Sequence, residues 1–582
     1  MIIHTMQRFV IPVIALFTLM MTTACQGPMK QSSEETLTAV PGGKFYGGIF
    51  KMNESEYIKN LFPHSIIDVY SYRVASQIYE GLFKFDQHSL KVVPSLVESY
   101  TTNDALTKYT FKLKKNVFFH DDPCFIDGKG RKLNANDIAY CFTLACTKDK
   151  NNQSSNLFVD VIKGADDFYD KKADSIEGIK VIDEFTIEFT LEKANSMFLY
   201  NLARPGAFIF PKEAYELYED EMRTKCVGTG AFRLSSVDED ISIILKKNEN
   251  YHGFDEYGNQ LPFLNALVIT FIKKKEIEFF QFKKQELDMV YRLPTNFIIN
   301  ILEEADKQSK KYNLQRVPEM STQFLAFNNQ NETFKDVNVR KAFSFAIDRQ
   351  RILEYILNGE GYKAGIHGIT PPVFESYDIS KIKGYSFNLD SARYYMNKAG
   401  YPNGKGFPAI TLDLNSEGQQ YNNVALEIKN QLKKHLNITI KAEISPFSHI
   451  AEKSTSGKYE MLRLAWIADY PSPENYLWAY NSKLLPASPK DKSYPNLTRY
   501  ANKQFDEYYE KALTAKNTNE AFQYFMEAER ILMKDAPFLV LWYDEGYRLI
   551  QPYVKDFPNN PMQYRDFSTV YFDNAKELNA QK

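Results

Sequence analysis

Cysteine is scarce: five in 582 residues, with no CxxC pair among them. That leaves no thiolate zinc motif, although an exported chain could still pair some of its cysteines in disulfides. Histidine is scarce too. The eight, at positions 4, 64, 88, 120, 252, 367, 435 and 449, form no HExxH and no i,i+4 pair, so the zinc-hydrolase signature is missing. No GxSxG nucleophile elbow occurs. Residues 400–405 superficially resemble a phosphate loop, but the spacing is one residue short and no Ser or Thr follows the Lys. Asp121, Asp122 and Asp127 lack the EF-hand register. Carboxylate pairs of the kind a glycosidase uses are easy to find among 73 acidic residues and so decide nothing. An excess of one charge is also missing: 71 Lys and Arg against 73 Asp and Glu give a net charge of −2, which leaves no footprint for nucleic acid. The chain does not read as an enzyme, and no catalytic residue, metal or cofactor is expected.

A long apolar run is lacking as well. Residues 9–21 form an apolar stretch of thirteen, short of the roughly twenty that span a bilayer. Arg8 precedes it and Thr22-Thr23-Ala24-Cys25 follows, the order of a signal peptide covering 1–24. A Cys directly after small residues resembles a bacterial lipobox, with Thr22 where Leu is usual. The resemblance implies a lipidated Cys25 and a protein tethered in the cell envelope, on the periplasmic side, with residues 25–42 as a flexible tether. Cys124, Cys141, Cys146 and Cys226 then remain, and Cys141 and Cys146 sit badly for a mutual disulfide on an apparent helix.

What is present is length and alternation. A chain of 582 residues exceeds one core and predicts two or more domains. Residues 109–113 and 186–191 alternate like strands. Residues 133–137 supply cap candidates before an apolar helix start at 138–144, Asp336 precedes a helical face of Val339, Ala342, Phe343 and Ala346, and a helix over 521–533 ends before Pro537. Strands alternating with helices indicate α/β layers.

A run of landmarks then resembles one family. Val93-Pro94-Ser95-Leu96, Val117-Phe118-Phe119-His120-Asp121, Val227-Gly228-Thr229-Gly230-Ala231-Phe232, Asn250-Tyr251-His252-Gly253, Leu261-Pro262-Phe263-Leu264 and Phe334-Lys335-Asp336-Val337-Asn338-Val339-Arg340 come in order across about 43–560. The sequence is similar to the bacterial extracellular solute-binding proteins of family 5, the oligopeptide- and dipeptide-binding class. Most of these landmarks report fold; Gly228 and Gly230 suit a turn with positive φ.

The resemblance implies a periplasmic-binding-protein-like α/β clamshell of two lobes (class II, cluster C) with an extra third subdomain. Lobe I would comprise 43–72, 226–322 and 536–582, the extra subdomain 73–225, and lobe II 323–535. It implies a monomeric substrate-binding component of an ABC importer that hands peptides to a permease and its ATPases. Alternatives are a same-fold binder of a nickel complex, haem or oligosaccharide, a secreted hydrolase, or a peptide-sensing receptor.

The site reading centres on 459–477. Residues 461–467 form an apolar run interrupted by Arg463 and followed by Asp469. Arg463, Ala465, Ile467 and Asp469 share one face of an extended strand, with the two charges about 20 Å apart. An extended peptide presents an ammonium and a carboxylate at its ends, and the backbone between could pair with it. Trp466-Ile467-Ala468-Asp469-Tyr470 matches the family motif whose Asp holds a peptide amine, and Arg463 matches a position that can receive the carboxylate. Trp466 and Ala468 are candidate cleft residues beside them. The plain alternative is that Asp469 caps the turn at Pro471 and Arg463 pairs internally. Glu56 and Tyr57 resemble a lobe I strand that touches the ligand, with Glu56 at the acidic position.

Overall fold

The computed structural model describes residues 37–573 except 59, 295–297, 308–311 and 416–418, so the expected leader and Cys25 lie outside the described residues. No helix among the described residues is long and apolar enough to cross a membrane.

Three main sheets organise the chain. The first orders Phe232–Asp238, Ser242–Lys247, Ala266–Thr270 and Ile49–Asn53, with the last two parallel. The second is antiparallel in the order Val97–Thr102, Lys108–Leu113, Thr186–Thr190 and Ile179–Asp183, and packs against the helix Ala135–Ala145. The third runs Met289–Tyr291, Phe538–Ile550, Asn313–Phe327, Met461–Ile467, Ile410–Asn415, Ile440–Ser445, with Gly361–Ala364 beside Phe538–Ile550. A separate apolar core under the third sheet gathers Phe327, Phe343, Leu412, Ile428 and Met461.

Helix starts follow the sequence. Asn134 and Asp137 form a reciprocal capping box. Asp336, Asn388 and Asn517 each accept a backbone N–H of their first turn. Such caps satisfy amides that have no intrahelical partner.

Asn313–Phe327 and Phe538–Ile550 join the lobes. Residues 313–318 pair with 545–550, and 322–326 pair with 538–543 after a register break. The outer half of Phe538–Ile550 adjoins Met289–Tyr291, which meets the first sheet where Asp288 accepts the Lys51 N–H at 2.6 Å. The inner half of Asn313–Phe327 adjoins Met461–Ile467. The lobe boundary expected at 322/323 therefore falls inside one continuous strand, and residues 538–543, expected in lobe I, pair with 322–326 of that strand.

Gly228 and Gly230 are needed for a different reason from the one expected. Neither has a positive φ. A Cβ on Gly228 would lie 2.1 Å from the Ile78 carbonyl oxygen, and one on Gly230 2.4 Å from that of Gln77. Close backbone approach, not turn handedness, selects glycine here. The approach brings Thr229 to Glu80, which accepts its hydroxyl at 2.9 Å, Ser95 Oγ at 2.9 Å and His252 Nε2 at 2.9 Å. Burial pushes the Glu80 carboxyl up, but His252 and the hydrogen bonds outweigh it and hold it at about 2. Three separated sequence landmarks thus converge on one buried carboxylate.

Candidate functional site: the cleft and its open strand edge

The cleft lies where the two crossing strands change partners. A cavity of about 60 Å³ there is lined by Asn53, Glu54, Arg73, Tyr291 and Arg292, by Glu319 and Met320 at the register break, and by Ile467 from the third sheet.

Met461–Ile467 forms one wall. One edge pairs with Ser321–Phe327 along its whole length. The other edge pairs with Ile410–Asn415 at Met461 and Leu462 alone. From Arg463 to Ile467 no described strand occupies that edge. The neighbouring strand continues instead beside Ile440–Ser445. Exposure rises along the strand accordingly: Met461 and Leu462 are buried, whereas Ala465 and Ile467 are exposed.

Arg463 sits where the two strands part. It donates to Asn415 Oδ1 at 3.2 Å and to Gln323 Oε1, and its guanidinium lies 3.5 Å from the centre of the Tyr421 ring. These partners are uncharged, and no carboxylate among the described residues forms an ion pair with Arg463. Its positive charge is positioned but not neutralised.

Asp469 lies beyond the other end of the strand. Its Oδ2 meets Arg204 of the extra subdomain at 3.1 Å, and Arg204 stacks 4.8 Å from the centre of the Tyr470 ring. Half of the Asp469 side chain (49%) stays open to solvent. The protein wall around it nevertheless pushes its carboxyl above the ordinary 3.8, against the pull of Arg204 and of the nearby Asn475 side chain. The carboxylate is accessible, crowded and partly satisfied, a state in which a second cation can join it.

The remaining expected residues divide. Trp466 points away from the Arg463 face and donates to Asn475 Oδ1 at 2.9 Å, so it braces the turn that carries Asp469. Ala468 is buried and its N–H is taken by the Met320 carbonyl at 2.9 Å. Glu56 sits on an exposed bend, and Tyr57 packs edge-on against Phe271 with ring centres 5.1 Å apart. The acidic residue that lines the cavity is Glu54, two positions earlier. Sequence reasoning missed Glu54, Arg204, Tyr421 and Arg292. Their partners lie far away in the chain, 265 residues in the case of Arg204 and Asp469, and no local signal marks them.

The family model for bacterial extracellular solute-binding proteins, family 5, matches residues 91–484. The chain belongs to this family. Among the similar family 5 proteins is the dipeptide-binding protein of Escherichia coli, 23% identical over 85% of this chain and 88% of its own. Heme-binding protein A of Haemophilus influenzae is 26% identical over 88% and 90%. The solved structure of a periplasmic binding protein of Helicobacter pylori in complex with the peptide STSA covers 91% of this chain and 99% of its own at a TM-score of 0.77 and 23% identity. The likeness establishes the two-lobed family 5 fold expected from the sequence, and the family is one of solute binders rather than enzymes.

Proposed function

We propose that this protein is the substrate-binding component of an ABC importer and captures extended oligopeptides or dipeptides between its lobes. One observation carries the reading: a strand edge left open from Arg463 to Ile467, with an unneutralised guanidinium at one end and an accessible carboxylate just past the other. A peptide laid along that edge would pair its backbone with the strand. Its ammonium would join Asp469, and the carboxylate of a peptide of matching length would reach Arg463. Recognition of termini and backbone leaves side chains unread, which makes broad specificity the expectation.

Lobe I is assigned to 43–72, 226–322 and 536–582, the extra subdomain to 73–225, and lobe II to 323–535. Closure around the register break at Pro318–Thr322 would present a changed surface to the permease. A lipid on Cys25 would hold this monomer at the membrane, facing the periplasm. The alternative of another solute is kept alive by the haem-binding relative.

Purified protein mixed with a tripeptide pool and desalted should carry peptides identifiable by mass spectrometry. Recovery of a porphyrin or sugar with no peptide would sink the peptide reading. Cleaved peptides would replace binding with hydrolysis.

A further inference from the structure

Positive charge is in excess around this cavity and behind it. Arg73 and Arg565 share one carboxylate, Glu54, at 3.2 and 2.8 Å. Arg548 is buried against uncharged acceptors: Gln315 at 2.9 Å, Gln563 at 3.1 Å, the Pro558 carbonyl at 2.8 Å and Asn559 at 3.2 Å. Arg292 reaches Glu319 at 3.5 Å, an acid that already accepts the Tyr291 hydroxyl at 2.5 Å. Lys275 is matched by Glu278 at 2.7 Å. Further along the cleft, Arg463 and Asp544 both bond to uncharged groups.

Five guanidiniums (Arg73, Arg292, Arg463, Arg548, Arg565) thus face three carboxylates (Glu54, Glu319, Asp544) among the described residues. The chain neighbours Thr295, Asn296 and Phe297 carry no charge. A buried cation without an anion is costly, so such an excess calls for a partner from outside.

The geometry says where that partner sits. Arg73 is 8% exposed, lines the cavity, and has an Nε with no hydrogen-bond partner. Arg292 lines the same cavity with 43% of its side chain open. Its backbone is held at φ +58, a left-handed conformation that costs a non-glycine residue energy, and its N–H is pinned by the Tyr547 carbonyl at 3.1 Å. Strain of this kind persists where a side chain must be aimed.

We propose that the cavity between Arg73 and Arg292 is a carboxylate subsite, and that the preferred ligands are peptides placing an acidic group on the lobe I wall. This rests on the peptide reading above. The carboxylate could belong to an Asp or Glu side chain or to the peptide's own C-terminus. Its two oxygens would take the free Arg73 Nε–H and the loosely held Arg292 fork.

The test is calorimetry with Ala-Glu-Ala, Ala-Gln-Ala and C-terminally amidated Ala-Gln-Ala against the wild type, Arg292→Gln and Arg292→Lys. If a side chain fills the subsite, the wild type prefers Glu over Gln by about tenfold. That ratio falls toward one in Arg292→Gln and recovers in part in Arg292→Lys. If the C-terminus fills it, Glu and Gln bind alike, and amidation costs the wild type about tenfold but Arg292→Gln much less. Ratios of one for both comparisons in the wild type would overturn the proposal, even if the variants fail to fold. So would ratios that Arg292→Gln leaves unmoved. Should no peptide bind, the peptide reading falls, and citrate becomes the probe: a rise in wild-type melting temperature that Arg292→Gln lacks upholds the subsite, and equal or absent shifts remove it.

Discussion

Asp469→Ala is expected to weaken binding of a free-amine tripeptide by about a hundredfold while moving the melting temperature little. Removing one partner of a desolvated ion pair costs about 2–5 kcal/mol, and a peptide ammonium beside Asp469 would form such a pair. The structure adds a second penalty. Without Asp469, Arg204 keeps its place on the Tyr470 ring and its charge faces the incoming ammonium directly. The fold loses little, because the deleted carboxylate is half open and its ion pair is partly solvated. The same site sets a pH dependence. Burial raises the Asp469 carboxyl above 3.8, against the pull of Arg204, so protonation begins at a higher pH than for an ordinary aspartate. The charged form is the one that holds an ammonium. Affinity should therefore be full near neutral pH and decline on acidification before exposed carboxylates titrate, whereas Asp469→Asn should bind weakly with a flat profile over that range. Calorimetry at stepped pH checks both, and unchanged affinity in Asp469→Ala would place the amine elsewhere.

Glu54→Ala is expected to act in the opposite sense, on stability more than on recognition. Glu54 is buried, and burial alone would raise its carboxyl, but Arg73 and Arg565 outweigh that and lower it. Deleting it leaves those two guanidiniums without their shared anion. Breaking a buried pair in this way costs about 3–5 kcal/mol. Thermal or urea unfolding should show the loss, with Glu54→Gln intermediate because it keeps one acceptor oxygen for the guanidiniums and drops the charge. The linkage agrees in sign: a depressed folded-state carboxyl stabilises above its unfolded value of about 4.5, and that stability is lost as pH falls through the folded value. The variant should therefore be less acid-labile relative to its own neutral stability. A melting temperature equal to the wild type would mean the cluster does not depend on this residue.

The two variants also separate what local reading can reach from what it cannot. Caps such as Asn134 with Asp137, and strands such as Lys108–Leu113, were legible because their determinants lie within a few residues. The same holds for the side-chain alternation of Met461–Ile467, which put Arg463 on one face and Trp466 on the other. The apolar run by itself suggests a buried strand, yet its later half is open because a neighbouring strand diverges after Asp413, a tertiary fact. Glu56 was matched to the acidic position by resemblance alone; the strand Ile49–Asn53 ends before it, and Glu54 is the acid that lines the cavity. Gly228 and Gly230 were recognised as necessary, but their neighbours Ile78 and Gln77 come from a distant helix. Arg463 was expected to meet either a ligand or an internal acid; it meets amides and an aromatic ring, which fix its position and leave its charge available.

The central claim is that the open strand edge and Asp469 hold a peptide by its free amine. Calorimetry of the wild type with one tripeptide in free and N-acetylated forms tests it most directly. Tight binding of the free form, with the acetylated form weaker by about a hundredfold and Asp469→Ala blind to the difference, is the predicted result. Equal affinity for the two forms in the wild type would contradict it.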